Sequence, residues 1–339
     1  MNRVSQRARL IIASVAVLSL VAGIWFAFSG NNDDFPAGQL GAETTVQVAN
    51  GENGSQIAIS LQKAGVVKTS KSFLKVALAD SRSRAIAPGT HRVNTRIPAV
   101  TALAQMLDGK RIVGLINVKE GSTLSDVISL LQNSPSISQR AFSSWKSVKP
   151  SIANKTSSLE GMLFPAQYSF AQGTSAQSAV EAMSRRFQES LSSSRLGIGY
   201  EKYDAYQMLT IASMIQVEGD ASDFSKIARV ILNRLTMGMP LQLNSTVQYA
   251  ANLRGQIALS TASTQIDSPY NTYRNVGLPP TPISNPSTAA IEAALHPATG
   301  DWIYFITVRP GDTRFTRSFA EFGSWESLFH KNLAAGAFK

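Results

Sequence analysis

Glu218 occupies a position where the pattern calls for an apolar residue. In the stretch from Leu209 to Leu243 (LTIASMIQVEGDASDFSKIARVILNRLTMGMPLQL), Ile211, Ile215 and Glu218 stand at i, i+4 and i+7 and so share one helical face. Such a face points into a core or a cleft, where an ionised carboxylate is costly. Gly219 follows at once, as a residue closing a helix often does, and the negative end of the helix dipole opposes ionisation of a nearby acid. Both effects raise the pKa, towards a group that donates a proton near neutral pH. Against this, an isolated glutamate at a helix end is more often structural than catalytic on pattern alone.

The rest of the chain offers little competing chemistry. Two-carboxylate glycoside hydrolysis needs a second acid roughly 5–9.5 Å from the first, and the candidates are Asp220, Asp223, Asp267 and Glu292. Asp220 and Asp223 fall in the turn before the next helix, where aspartate is a common cap. There is no cysteine and no G-x-S-x-G elbow, which argues against a nucleophilic triad, disulfides and thiolate metal sites. His91, His296 and His330 are widely spaced, so no metal site is expected, and no cofactor. His296, in Leu295-His296-Pro297-Ala298, reads as a structural imidazole at a helix end.

The elements that must position Glu218 can be read from periodicity. Its helix is expected over Glu201–Glu218, followed by one over about Ser225–Met237 with Ile227, Val230, Ile231 and Leu235 inward, ended by Gly238 and Pro240. An amphipathic helix precedes them at Ser175–Ser192. After Pro240 the chain reads as extended and turn-rich, with Gln242-Leu243-Asn244-Ser245-Thr246, then Ser268 to Tyr273, then Gly277 to Pro282. Stiff loops bearing tyrosines and amides suit a carbohydrate cleft and equally suit ordinary packed loops. A short helix is expected at Ser287–Leu295, and a buried strand at Trp302–Val308 with a hairpin partner at Thr313–Thr316.

Upstream, two small units align without a gap: Val48 with Val118, Gly51 with Gly121, Ile57 with Val127, Leu61 with Leu131. Each reads as strand, glycine turn and helix, a weak internal repeat similar to LysM-like modules that hold glycan chains, although a non-binding scaffold needs the same residues. Between them, helices are expected at Phe73–Ala79 and Ala99–Leu107 and a strand at His91–Val93. Residues 143–158 are Ser/Lys-rich and read as a connection.

The 339 residues are 44% hydrophobic, enough for one or two domains with real cores, and carry 32 Lys+Arg against 22 Asp+Glu, a formal +10. That charge is scattered and not interleaved with aromatics, so nucleic acid is not expected as a partner. Leu10–Phe28 is free of charge and about long enough to cross a bilayer core of roughly 30 Å. Arg3, Arg7 and Arg9 before it put the N-terminus in the cytoplasm. A cleavable signal peptide is the alternative, with a shorter apolar region ending in small residues rather than Trp25, Phe26 and Phe28. The expected organisation is α+β: a cytoplasmic N-terminus (1–9), a transmembrane helix (10–28), a linker (29–44), a small LysM-like β-α domain (45–140) and a mixed α+β catalytic domain (157–339).

Several separated motifs agree in order with one family. Ile211 to Glu218, Asn233-Arg234-Leu235, Gly238 to Gln242, Ser268 to Tyr273, Gly277 to Pro282 and Ala294 to Ala298 resemble the MltG (YceG-like) endolytic murein transglycosylase family, over most of residues 157–320. The resemblance implies cleavage of peptidoglycan glycan strands within the chain, at the MurNAc–GlcNAc β-1,4 bond, leaving a 1,6-anhydro-MurNAc end. It also implies a bacterial cytoplasmic membrane location with the catalytic domain on the outer side, and peptidoglycan synthases (penicillin-binding proteins) as partners. The family's catalytic glutamate falls on Glu218, acting first as acid and then as base, so no second carboxylate is required. Gln242, Asn244, Thr246, Tyr270, Asn271 and Tyr273 are the implied cleft lining.

Three motifs depart from the family pattern: Gln216 stands for a glutamate, Asn244 for a common aspartate, and Ala166-Gln167 interrupts the run Leu163 to Tyr168. A hydrolytic muramidase and a non-catalytic glycan-binding scaffold remain the alternatives.

Overall fold

The computed structural model describes residues 33–38, 40–49, 51–152, 156–194, 196, 200–253 and 262–338. The chain forms two compact units, Met1–Gly114 and Leu115–Lys339.

In the first unit, β1 (Glu43–Val48) is followed by α1 (Gly54–Lys63) and α2 (Ser70–Ala79). Then come β2 (Gly89–Asn94), α3 (Ala99–Leu107) and β3 (Ile112–Val113). The strands make an antiparallel sheet in the order β1-β2-β3, with Val46 opposite His91 and Thr90 opposite Val113. Val46, Val48 and Val93 project from it onto Ile57, Leu61, Phe73, Leu103 and Met106, all buried. Period-2 strands and period-3.6 helices bury one face each, which suffices for a core of this size.

The second unit opens with β4 (Leu115–Val118), α4 (Leu124–Gln132) and β5 (Ile137–Ser138). β6 (Ala166–Ser169) pairs antiparallel with β4, and β7 (Thr174–Ser175) pairs parallel with β5. Helix α5 (Ala176–Ser193) buries Ala179, Val180 and Met183 beside Val127, Leu131 and Leu163.

Four helices then build the larger core: α6 (Ala205–Glu218), α7 (Phe224–Thr236), α8 (Asn244–Ala251) and α9 (Thr288–Leu295). A hairpin of β8 (Tyr304–Arg309) and β9 (Asp312–Thr316) follows, and α10 (Phe319–Ala334) packs on β8. α6 is the central element. Every residue from Met208 to Ile215 is buried, on all faces of the helix, among Ile227, Ile231, Ala290, Ile291 and Leu295. A helix apolar all round belongs inside a core.

The internal repeat carries through to local geometry. Gly51 and Gly121 both adopt φ 75°, a left-handed conformation suited to glycine. Asn53 with Gln56, and Thr123 with Asp126, both close full capping boxes at the aligned helix starts. The two halves nonetheless lie in different compact units. The second is tied into the larger core by buried Asn285, whose Nδ2 donates to Ser122 O at 2.8 Å and whose Oδ1 accepts from Leu163 N at 2.9 Å.

Several expectations require correction. Among the described residues no helix is long and apolar enough to cross a membrane. The α+β class stands, but the single-pass transmembrane architecture, and the membrane location with an outward catalytic domain that followed from it, are set aside. The apolar stretch 10–28 on which they rested lies outside the described residues. The stretch after Pro240 is not extended throughout, because Asn244–Ala251 is helical. The strand expected as buried at Trp302–Val308 runs over Tyr304–Arg309 with only Val308 buried, since its other face is half-open. Helix α10 had no counterpart in the sequence reading.

Candidate active site

The core helix α6 ends by turning polar. After Ile215 its last turn emerges as half-buried Gln216, exposed Val217 and half-buried Glu218. The helix stops there because Gly219 is fully extended, at φ −172° and ψ −171°, rather than left-handed as a closing glycine usually is. Space is tight there: a Cβ at this position would stand 2.5 Å from Ile227 Cδ1 on α7, so the end of that isoleucine would have to move. Asp223 begins α7 without a side-chain cap bond.

The Glu218 carboxyl group meets the first turn of α8. Ser245 N donates to Glu218 Oε1 at 3.3 Å, a long bond, and the buried Ser245 hydroxyl has no hydrogen-bond partner of good geometry among the described residues. Burial raises the Glu218 pKa above the ordinary carboxylate range, and contact with the Ser245 hydroxyl and amide opposes that rise without cancelling it. The two ends of helices thus act in opposite senses on this acid, the C-terminus of α6 against its ionisation and the N-terminus of α8 for it.

Glu218 opens onto a cavity of about 640 Å³. One wall is polar, with Arg234 from α7, Gln242, Asn244 and Tyr273; the other is aromatic, with Tyr304 and Phe305 from β8 and Phe319, Phe322 and Phe329 from α10. Tyr273 Oη donates to Asn244 Oδ1 at 2.6 Å. Burial raises the Tyr273 pKa first and the Glu218 charge raises it further, while Arg234 lowers it, so the phenol stays protonated between an acid and a cation. Arg234 is buried and donates to the carbonyls of Ile303, Pro240 and Leu241 and to Gln242 Oε1. These bonds hold Gln242 in its left-handed conformation at φ 53°.

The cavity therefore gathers Glu218, Gln242, Asn244 and Tyr273, while Thr246, Tyr270 and Asn271 are not on its lining. Thr246 is buried and bonds Leu243 O and Thr272 Oγ1. Asn271 is buried and holds its loop through Thr264 O, Ile266 O and Tyr273 N. Tyr270 bonds Thr281 and packs on Tyr249 with the rings tilted by 51° and their centres 5.0 Å apart. These three shape the loop that delivers Tyr273. Gln216 turns away from the site, accepting from Ser287 N at 2.7 Å at the start of α9.

Among the acids weighed as a second carboxylate, Asp220, Asp223, Asp267 and Glu292 are all absent from the cavity lining, and Glu292 pairs with His296. Glu326 and His330 on α10 do line it. Phe319, Phe322, Glu326, Phe329 and His330 follow helical spacing, and Ser318 with Glu321 marks a helix start, a signal present in the sequence. Among the described residues no cluster of three or more potential ligands could hold a metal ion.

A mixed α+β fold with a core helix delivering one half-buried carboxyl group to a polar and aromatic cavity describes the class to which this chain belongs. The chain is a member of the YceG-like family, whose model matches residues 46–325. It is 32% identical over 302 residues to the endolytic murein transglycosylase of Bacillus subtilis, covering 83% of each chain. It is 31% identical over 297 residues to the endolytic murein transglycosylase of Streptococcus pneumoniae, covering 77% of this chain and 54% of that one. The crystal structure of a yceG-like protein from Listeria monocytogenes superposes with a TM-score of 0.53 at 25% identity, covering 83% of this chain and 98% of that one.

Proposed function

We propose that the protein is an endolytic peptidoglycan lytic transglycosylase, a lyase with Glu218 as its single general acid and base. The observation that carries the reading is the half-buried Glu218 carboxyl group, raised in pKa by burial and open to a 640 Å³ cavity. The protonated carboxyl group gives its proton to the glycosidic oxygen of a MurNAc–GlcNAc β-1,4 bond as the bond from C1 breaks. The resulting carboxylate takes the proton from the sugar's own 6-hydroxyl as O6 bonds C1. The products are a free 4-hydroxyl on one strand and a 1,6-anhydro-MurNAc end on the other, with no water consumed. The Ser245 amide supports the carboxylate form between the two steps, and Asn244 and Tyr273 present hydrogen-bonding groups beside it. A cut within a growing strand ends its elongation, which favours peptidoglycan synthases (penicillin-binding proteins) as partners, a point that cross-linking in growing cells would test.

Glu326 favours one rival. A second carboxyl group on the same cavity is what a hydrolytic muramidase needs to activate water or form a covalent intermediate. Digestion of purified sacculi, followed by mass analysis of the muropeptides, separates the readings. Anhydro ends are expected, with cleavage retained in Glu326→Gln; reducing ends would establish hydrolysis instead. A non-catalytic glycan-binding scaffold predicts no new ends of either kind.

A further inference from the structure

Arg234 is a cation without a counter-charge. It is 8% exposed, lies in no ion pair among the described residues, and is fixed from three sides. Nε donates to Ile303 O at 2.6 Å, Nη1 is shared among Pro240 O, Leu241 O and Gln242 Oε1, and the guanidinium carbon stands 5.3 Å from the centre of the Tyr304 ring. Nη2 donates to nothing among the described residues, and the side chain lines the Glu218 cavity. Burial without an acidic partner pulls the Arg234 pKa down from its ordinary value, although a guanidinium stays charged in proteins. A buried, rigidly held charge whose remaining donors face open space is arranged for an anion that arrives from outside.

We propose that Arg234 is a specificity-determining residue whose Nη2 holds a carboxylate carried by the substrate's 3-O-lactyl substituent. This inference rests on the murein reading of the site. N-acetylmuramic acid differs from N-acetylglucosamine by that lactyl ether, which ends in a carboxyl group when bare and carries peptide carboxylates when substituted. Both sources share one chemistry. Because only one guanidinium nitrogen is open, the contact is end-on rather than a two-nitrogen fork. Glu326 and Glu218 line the same cavity, and both raise the pKa of Tyr273 while Arg234 lowers it. The anion must therefore bind in a cavity that also holds two acids, which favours a group anchored by its sugar.

The test compares ligands on the unaltered protein. Binding of N-acetylmuramic acid is measured against its methyl ester, and of the N-acetylmuramyl dipeptide against its diamide. At least one acid is expected to bind about tenfold more tightly than its neutral counterpart, and which one does so identifies the source of the carboxylate. The excess should vanish in Arg234→Gln. Should that variant fail to fold, the guanidinium nitrogen resonance of Arg234 in the unaltered protein should shift with the acid and not with the ester. Equal binding of acids and neutral counterparts, or an excess that persists in Arg234→Gln, would overturn the proposal. None of these monosaccharides carries a bond for Glu218 to cleave, so the outcome is independent of the sacculus digestion.

Discussion

Two glutamates of the second compact unit are turned against the first turn of a helix, yet their surroundings differ in every respect that matters for chemistry. Glu160 faces α4: its Oε1 accepts from Leu124 N at 2.8 Å and its Oε2 accepts from Tyr249 Oη at 2.9 Å, and it is 3% exposed. Glu218 faces α8 with one long bond of 3.3 Å, and the rest of its carboxyl group borders a cavity. The first acid has both oxygens engaged by short bonds and nowhere to move a proton. The second is under-bonded and accessible. Burial alone does not mark a reactive acid; burial combined with unmet hydrogen-bonding capacity and open space does.

The contrast breaks most decisively at Glu218 itself. Glu218→Gln keeps the size and the contact with Ser245 but removes the proton. Cleavage of sacculi should fall by roughly 10²- to 10⁴-fold, the worth of a general acid and base, while the circular dichroism spectrum and glycan binding persist. Residual cleavage within a few-fold of the parent would refute the assignment.

Glu160→Gln should do the reverse. The amide oxygen can still accept from Leu124 N, but the amide nitrogen can only donate, so Tyr249 Oη must give up its donor role and a charge-assisted bond is lost, a cost of about 1–3 kcal/mol at a buried site. Urea denaturation should show that loss, whereas turnover per folded molecule should change less than twofold to threefold. A variant as stable as the parent would mean that Glu160 is not the structural acid its bonds imply.

The sequence reading reached Glu218 and part of its surroundings, for Gln242, Asn244 and Tyr273 line the same cavity. The i, i+4, i+7 spacing located the acid because α6 is regular up to its last residue, and the aligned glycine turns were legible because φ near +75° demands glycine at both. Asn244–Ala251 was misread because Pro240, Asn244 and Ser245 have turn chemistry, while Leu243, Val247 and buried Thr246 hold the helix through tertiary packing. Thr246, Tyr270 and Asn271 have the side chains of a sugar site, but nothing in one dimension separates a polar group facing a cavity from one that holds the loop behind it. Glu160 carries no local signal of its role for the same reason: its partners lie 36 and 89 residues away.

A difference of the same origin should appear in the pH dependence of stability. Burial holds the Glu218 pKa above its ordinary 4.5, so the folded state keeps this proton to higher pH than the unfolded chain does. The contribution is complete below the ordinary carboxylate value and is lost as pH rises through the raised one. Glu218→Gln carries no such penalty. Its melting temperature should match that of the parent at acid pH and exceed it progressively above about pH 5. A constant offset across the range would contradict the raised pKa.

The smallest effect concerns Asn244, the first residue of α8. Its Oδ1 accepts the Tyr273 phenol at 2.6 Å, a bond that a carboxylate would keep. Asn244→Asp therefore preserves the geometry and adds one negative charge beside Ser245, the residue that contacts Glu218. A like charge raises the pKa of a neighbouring acid. In the proposed reaction Glu218 is protonated for the first step, so its pKa sets the alkaline limb of activity. That limb should move upward by roughly half a pH unit in Asn244→Asp, with the maximal rate little changed. An unmoved or downward-shifted limb would show that a charge at this position does not act on Glu218, and that Asn244 serves the site through its bond to Tyr273 alone.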